Sequence, residues 1–470
     1  KHIALAMVLA ALLLAAGRAP GQTGGTSGAP GAGVDSARFD GAGPAVELAE
    51  PSVPPGERWS LARAVAAALE GGVDAKAAHA RTVQAQGGSL SSWSGILPSL
   101  DGNLNYTRTK RSSVYFDQNG LPVSFVDNGQ IRSAGLEART NLLSVSSWSE
   151  KHRQDLLVRT AREAEAEARN GVVYSVKQEY FALVKAERLA EVSRESERLA
   201  RDEESRAEAL FEVGTVARGD VLKARARRAT TQLDRIRAVN QVEIQRSRLK
   251  QVIGLRPSQP LTIETALDES VVLPDSATAV STALSARPDL SRAVAAERAA
   301  RAGLFGARAK RLPEITGTAT VDHALNKDRF AGQDELSFHS TDWFGQARLT
   351  LPVFNGFALE GNMKSAKGAV LEAEAQRRQR ELDVAVEVQQ AWLSVREAVE
   401  RIGVSKEGLA SAQEDYNFSK SRYELGAGTF LDLLNAEVSL AQAKQSYVEA
   451  LADAHVAEAA LERAVGSRRY

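Results

Sequence analysis

The sequence predicts an α+β membrane protein, internally duplicated, in which each chain supplies four transmembrane β-strands and two long antiparallel coiled-coil hairpins. Three observations carry this. The chain repeats itself at a spacing of about 212 residues, two stretches of some 60 residues lack proline, and four segments alternate apolar and polar side chains.

Composition narrows what such a chain does. Lys plus Arg and Asp plus Glu stand equal at 59 each, so no net field draws it to nucleic acid. Cysteine is absent and the six histidines (His2, His79, His152, His323, His339, His455) are scattered without helical i, i+4 pairing. Thiolate nucleophiles and Cys-based zinc sites are excluded. With no phosphate loop or metal cluster legible either, the chain is expected to be no enzyme and to need no cofactor or metal.

Lys1-His2 precedes an apolar run from Ile3 to Ala16, the length of a signal-peptide core and too short to span a bilayer. Residues 1–17 are expected to be a signal peptide, cleaved near Ala15-Ala16-Gly17, and 18–56 a flexible leader rich in Gly, Pro and Ala. Beyond that run no stretch of about 18 apolar residues exists, so a membrane crossing would fall to strands.

The duplication orders the rest. Phe211-Glu212-Val213-Gly214 recurs as Tyr423-Glu424-Leu425-Gly426, and Asp220, Leu222, Ala224 and Gly254 recur as Asp432, Leu434, Ala436 and Gly466. All are 212 positions apart (211 to 423, 254 to 466), as are Val176, Tyr180 and Ala186 from Val388, Trp392 and Ala398. Leu97-Pro98 and Leu312-Pro313 match 215 apart. The expected segments are a helix at 57–99, a β-hairpin at 100–148 and a long helical hairpin at 149–254. The second repeat follows with linker and helix at 255–312, hairpin at 313–354 and helical hairpin at 355–470.

From about Ser149 to Leu210 there is no Pro and one Gly, which predicts a helix on the order of 90 Å long. Ala358 to Tyr423 predicts its counterpart. Val173, Val176, Tyr180 and Leu183, and then Ala385, Val388, Trp392, Val395, Val399 and Ile402, recur at three- and four-residue spacing, the seam of a coiled coil.

Four segments alternate with period two. Leu100, Gly102, Leu104 and Tyr106 oppose Asp101, Asn103, Asn105 and Thr107; Ala134, Leu136 and Ala138 oppose Gly135, Glu137 and Arg139. Ile315 to Val321 and Trp343 to Val353 do likewise. Strands of roughly 9 to 12 residues with aromatics near several ends fit an outer-membrane barrel. A sheet covering an ordinary core is the other reading of any one strand. Loops are expected around Asn119-Gly120 and Asn128-Gly129 and over Ala324 to Asp342. Four strands cannot close, and an open edge in lipid leaves backbone groups unpaired. Two chains would give a filled eight-stranded barrel, three a twelve-stranded barrel with a polar lumen. A homotrimer in outer-membrane lipid is therefore expected.

The chain resembles the TolC-type outer-membrane efflux proteins over essentially Trp59 to Ser467. The shared pattern is distributed over Ala64 to Leu69 with Asp74, Leu97-Pro98-Ser99-Leu100, Leu349 to Gly356, and the turns ending in Asp220-Val221-Leu222 and Asp432-Leu433-Leu434. The resemblance implies a trimeric channel in the bacterial outer membrane, extending into the periplasm as an α-helical tunnel. It also implies a periplasmic adaptor (a membrane fusion protein) and an inner-membrane transporter as partners. The expected role is passive export of drugs or other small molecules. Type I protein secretion is the alternative, and a soluble periplasmic coiled-coil adaptor the alternative of another class.

By the same resemblance Asp432 is similar to a ring aspartate of the periplasmic gate, Tyr423 to a link residue and Asp220 to its partner. Asn435 stands where family members often carry a second Asp, and Gly428 where they carry an Arg. Both Asp residues suit helix capping as well. Val213-Gly214-Thr215 and Leu425-Gly426-Ala427 resemble the tips that meet the adaptor; a plain helix-turn role for each Gly is the other reading.

Overall fold

The computed structural model describes residues 58–116, 118–330 and 336–466; the signal-peptide and leader segments lie outside the described residues. Two elongated repeats run in the expected order. In the first, β1 (Arg58–Trp59) leads into α1 (Leu61–Gly71) and α2 (Val73–Ser91), then β2 (Ser99–Phe116), β3 (Pro122–Leu143), α3 (Val145–Glu212) and α4 (Arg218–Ile253). The second comprises β4 (Thr262–Ile263), α5 (Ser276–Ala286), α6 (Pro288–Ala309), β5 (Glu314–Phe330), β6 (Leu336–Thr350), α7 (Ala358–Glu424) and α8 (Phe430–Val465). No described helix is long and apolar enough to cross a membrane.

The long helices are single objects. The 68 residues of α3 at 1.5 Å each span about 100 Å. In α3 the seam falls where the pattern puts it, with Val173, Val176, Tyr180 and Leu183 buried. In α7 Val388, Val395 and Ile402 are buried as the pattern puts them and Trp392 packs beside them, but Val384 is buried in place of Ala385, which is half-buried, and Ala398 in place of Val399, which is exposed. The buried set is then Val384, Val388, Val395, Ala398 and Ile402, packed on α5 and α8. α3 and α8 pack on each other, and buried alanines on both, Ala200 and Ala207 on α3 and Ala436 and Ala450 on α8, permit close approach of neighbouring helices. Charged pairs cross between the repeats at Lys185–Asp453 (3.0 Å) and Glu195–Lys444 (2.9 Å). Half-exposed pairs of this kind contribute under about 1 kcal/mol each, so they fix register more than stability.

Matched glycines reveal the duplication in the backbone. Gly214 and Gly426 have φ of 79° and 70°, and Gly254 and Gly466 have 87° and 75°. Each ends a helix in the left-handed region that only glycine enters without strain. The first short helix breaks at Gly72, the second at Arg287 before Pro288.

Two elements escape sequence reading. The two-residue strands β1 and β4 pair in parallel and cross α3, Trp59 and Ile263 being buried with Leu183 and Leu249 in one core. The four long strands form one antiparallel sheet of order β2-β3-β5-β6, leaving β2 and β6 as edges. They have 18, 22, 17 and 15 residues, longer than the alternation predicts. Most of the expected second loop is therefore strand, and Asn128-Gly129 pairs with Lys110 and Thr109 instead of turning. At the base of the sheet, Glu314 accepts hydrogen bonds from Ser144 (2.9 Å) and Ser146 (2.6 Å), tying β5 to the start of α3.

Candidate functional site

The turns at the far end of each helical hairpin are built alike. Gly214 N–H donates to Phe211 O and Gly426 N–H to Tyr423 O, both at 3.0 Å; Thr215 N–H reaches Leu210 O at 2.9 Å and Ala427 N–H reaches Arg422 O at 2.8 Å. These are Schellman-type closures. Val213, Gly214, Thr215, Leu425, Gly426 and Ala427 are all exposed, with Val213 at 71% and Leu425 at 84%. Gly428 is enclosed: a Cβ there would meet Arg422 Cβ at 3.1 Å, and Arg422 itself donates to Ala427 O at 2.9 Å.

Asp432 is not the N-cap of α8; Thr429 is. Thr429 Oγ1 accepts from Asp432 N–H and Asp432 Oδ2 accepts from Thr429 N–H, both at 3.2 Å, a reciprocal capping box. Hydrogen bonding with Thr429 holds the Asp432 carboxyl below the ordinary range. Asn435 lies one turn further on the same exposed face. On α4, Asp220 sits in the first turn and accepts from Lys223 at 3.3 Å.

Tyr423 stands between the hairpins, its ring 5.7 Å from that of Phe430, which is buried against Ala207, Val221 and Ala224. Its hydroxyl is buried with no hydrogen-bond partner among the described residues. Burial pushes that hydroxyl's pKa up, and the negative charges of Glu203 and Asp220 add to the rise. Within one chain the Tyr423 and Asp220 side chains are thus near but not hydrogen-bonded.

Just inside the turns lies a polar layer that sequence reading missed. Glu203 of α3 and Glu437 of α8 are buried, and burial raises both carboxyl pKa values. Arg227 of α4 reaches Glu437 at only 3.6 Å. Glu203 Oε2, Glu437 Oε1 and Arg227 Nε have no hydrogen-bond partner among the described residues. A buried half-satisfied layer of this kind is a weak seam between two packed hairpins. No group of three His, Asp or Glu able to hold a metal is found among the described residues.

The sheet has two unlike faces. One carries Leu100, Leu104, Leu136, Ala138, Ala319, Val321, Trp343, Ala347 and Leu349, brought into register across four strands. The other carries Asp101, Asn103, Glu137, Arg139, Thr318, Asp322, Asp342, Gln346 and Arg348. Both are open in a single chain: Leu104 is 87% and Trp343 78% exposed.

Comparison with known proteins agrees with this geometry. The model of the family described as outer membrane efflux protein matches residues 64–255 and 279–467, one segment in each repeat. The toluene efflux pump outer membrane protein TtgF of Pseudomonas putida is 26% identical over 264 residues, 54% of this chain and 52% of that protein. The chain thus aligns with about half of that relative. Outer membrane protein TolC of Escherichia coli is 22% identical over 76% of this chain and 71% of its own length. The Campylobacter jejuni CmeC outer membrane channel superposes with a TM-score of 0.69 at 19% identity, covering 86% of this chain and 85% of that one.

Proposed function

Because the chain belongs to the outer membrane efflux protein family, we propose that it is the passive outer-membrane exit channel of a tripartite export system, catalysing no reaction. The observation that carries this is the four-stranded sheet with one continuous apolar face and two unpaired edges, mounted on helices of about 100 Å. In hydrocarbon the edge N–H and C=O groups of β2 and β6 need partners. A third of a closed barrel supplies them when β6 of one copy pairs with β2 of the next, giving twelve strands around a polar lumen in a homotrimer. The helices then continue the duct through the periplasm. The exposed tips around Val213 and Leu425 meet a periplasmic adaptor, and an inner-membrane transporter supplies the energy. Asp432 and Asn435 face the constriction, with Tyr423 and Asp220 holding the inner hairpin near the outer one. Relatives named as toluene efflux components favour small organic cargo.

The test is membrane fractionation followed by mass measurement of the detergent-extracted particle. A threefold mass recovered from the outer membrane supports the reading. A monomer in the soluble periplasm overturns it in favour of a coiled-coil adaptor.

A further inference from the structure

The apolar face of the sheet ends in cations. Counting rows across the strands from the helical end, that face stays apolar but for Thr140 from Ile315 and Leu349 to Leu136, Val321 and Trp343, and the row after that joins Leu104 and Ala134 to His323 and Thr341. The next row is Tyr106, Arg132, Leu325 and His339, then Arg108, Gln130, Lys327 and Ser337, with Lys110 beyond. From Ile315 to Leu325 the strand rises about 33 Å, or about 25 Å at a barrel's usual tilt, the height of an outer-membrane apolar band. The cationic rows therefore begin where hydrocarbon ends. They lie on the side of the strand-connecting turns, away from the helices.

The charge is strictly sorted. Among the described side chains of this face no Asp or Glu occurs; Asp101, Glu137, Glu314, Asp322 and Asp342 all stand on the opposite face. Arg108 and Arg132 have no carboxylate partner among the described residues. By contrast, Arg225 and Arg228 near the tips pair with Glu208 and Glu204. Arg132 lies 5.7 Å over the Tyr106 ring. His323 sits 2.9 Å from Thr341 Oγ1, with its ring 6.2 Å from that of His339. These groups border a depression of about 450 Å³ whose apolar lining includes Leu104, Ala134 and Leu325.

We propose that this rim binds the phosphate groups of a phosphorylated glycolipid in the outer leaflet, its acyl chains lying along Leu104, Leu136 and Val321. The inference rests on the channel reading, which sets the sheet in the membrane with its turns outward. Guanidinium groups grip phosphate bidentately. Cations at a lipid surface attract anionic headgroups charge by charge, and Arg108 and Arg132 have no carboxylate among the described residues to compete for them. The apolar floor continuous with the cations selects an anion that carries chains over a free one.

The test uses the intact detergent-extracted assembly and measures binding of bisphosphorylated lipid A, its dephosphorylated form and inorganic phosphate. Arg108→Ser, Arg132→Gln and Lys327→Ser combined should weaken binding of the bisphosphorylated lipid on the order of 100-fold. Arg139→Gln with Arg348→Gln, on the opposite face, should leave it unchanged. An unaltered particle mass verifies that the variants assemble. Undiminished binding by the triple variant, equal binding of the dephosphorylated lipid, or inorganic phosphate held as tightly as lipid each overturns the proposal while the channel reading stands. Recovery of the wild-type chain as a soluble periplasmic protein removes both.

Discussion

Tyr180 and Trp392, 212 positions apart, make the same contact in the two repeats: each donates from a long helix to a backbone carbonyl of the segment crossing it. Tyr180 Oη lies 2.9 Å from Glu264 O and 3.2 Å from Trp59 O, and Trp392 Nε1 lies 2.8 Å from Pro274 O. The crossing segment is thereby pinned at equivalent heights on α3 and α7.

Tyr180→Phe takes the side-chain donor from Glu264 O while Trp59 O keeps the Glu264 N–H at 3.1 Å, so it should lower stability by about 1 kcal/mol, read as a lower thermal midpoint. Burial and the nearby Glu264 charge push the Tyr180 hydroxyl up to about 12. Difference absorbance titration of wild type against this variant should therefore be flat until the pH exceeds about 11. A transition near pH 10 would show that the hydroxyl is not enclosed.

Asp289 accepts from Arg287 Nε at 3.0 Å and from Arg380 Nε at 2.8 Å. Burial alone would raise its pKa, but the two guanidinium groups outweigh burial and take it to about 2, from an ordinary 3.8. A depressed acid pKa gives stability that is complete above 3.8 and is lost as pH falls from there through about 2. Asp289→Asn should cost about 2–3 kcal/mol at neutral pH, because Arg287 and Arg380 lose their buried carboxylate and keep the more exposed Glu387, and should flatten the acid limb of stability. Equal acid sensitivity in the variant would assign that limb to other carboxylates.

Glu203 and Glu437 have the opposite sign. Burial raises both above 4.5, so the folded state binds protons more tightly than the unfolded one. Their stabilisation is present at low pH and declines as pH rises past 4.5 toward the raised values. Hydrogen exchange of the tip amides should therefore be slower near pH 5 than near pH 7 after correction for intrinsic rates. Glu203→Gln should remove about half of the difference. A difference that is unchanged in the variant places the titrating group elsewhere.

Asp432 closes the capping box of α8, and in the proposed channel its charge faces the constriction. Thr429→Val should lose about 1 kcal/mol of cap while keeping the charge. Asp432→Asn should lower cation block and cation selectivity in planar-bilayer recordings. If both variants change conductance equally, the effect comes from the loosened helix start, not from the carboxylate.

The long elements were legible because their signals are periodic and redundant. Helices without proline, the 212-residue lag and alternating strands each survive local errors. The errors trace to context. Asn128-Gly129 reads as a turn, yet pairing with β2 overrides it. Two positions of the α7 seam move by one residue because packing against α5 and α8 selects Val384 and Ala398 over Ala385 and Val399. The β1–β4 strap is two residues per strand, too short for any period. Of the tip residues, sequence reading singled out Asp432, Tyr423 and the two turns. It could not find Glu203, Arg227 and Glu437, which are ordinary surface letters until two hairpins bury them. Asp74 and Asp289 occupy equivalent places in the repeats, but only Asp289 is buried beside two arginines.

The free margins of β2 and β6 also govern how the molecule is born. A solitary copy presents sticky, unmatched ribbon ends and a greasy face to water, so it is at risk of joining the wrong neighbours. In the proposed channel maturation is then collective: the rods wind individually, since their contacts are internal, whereas the sheet closes only when sister copies arrive together.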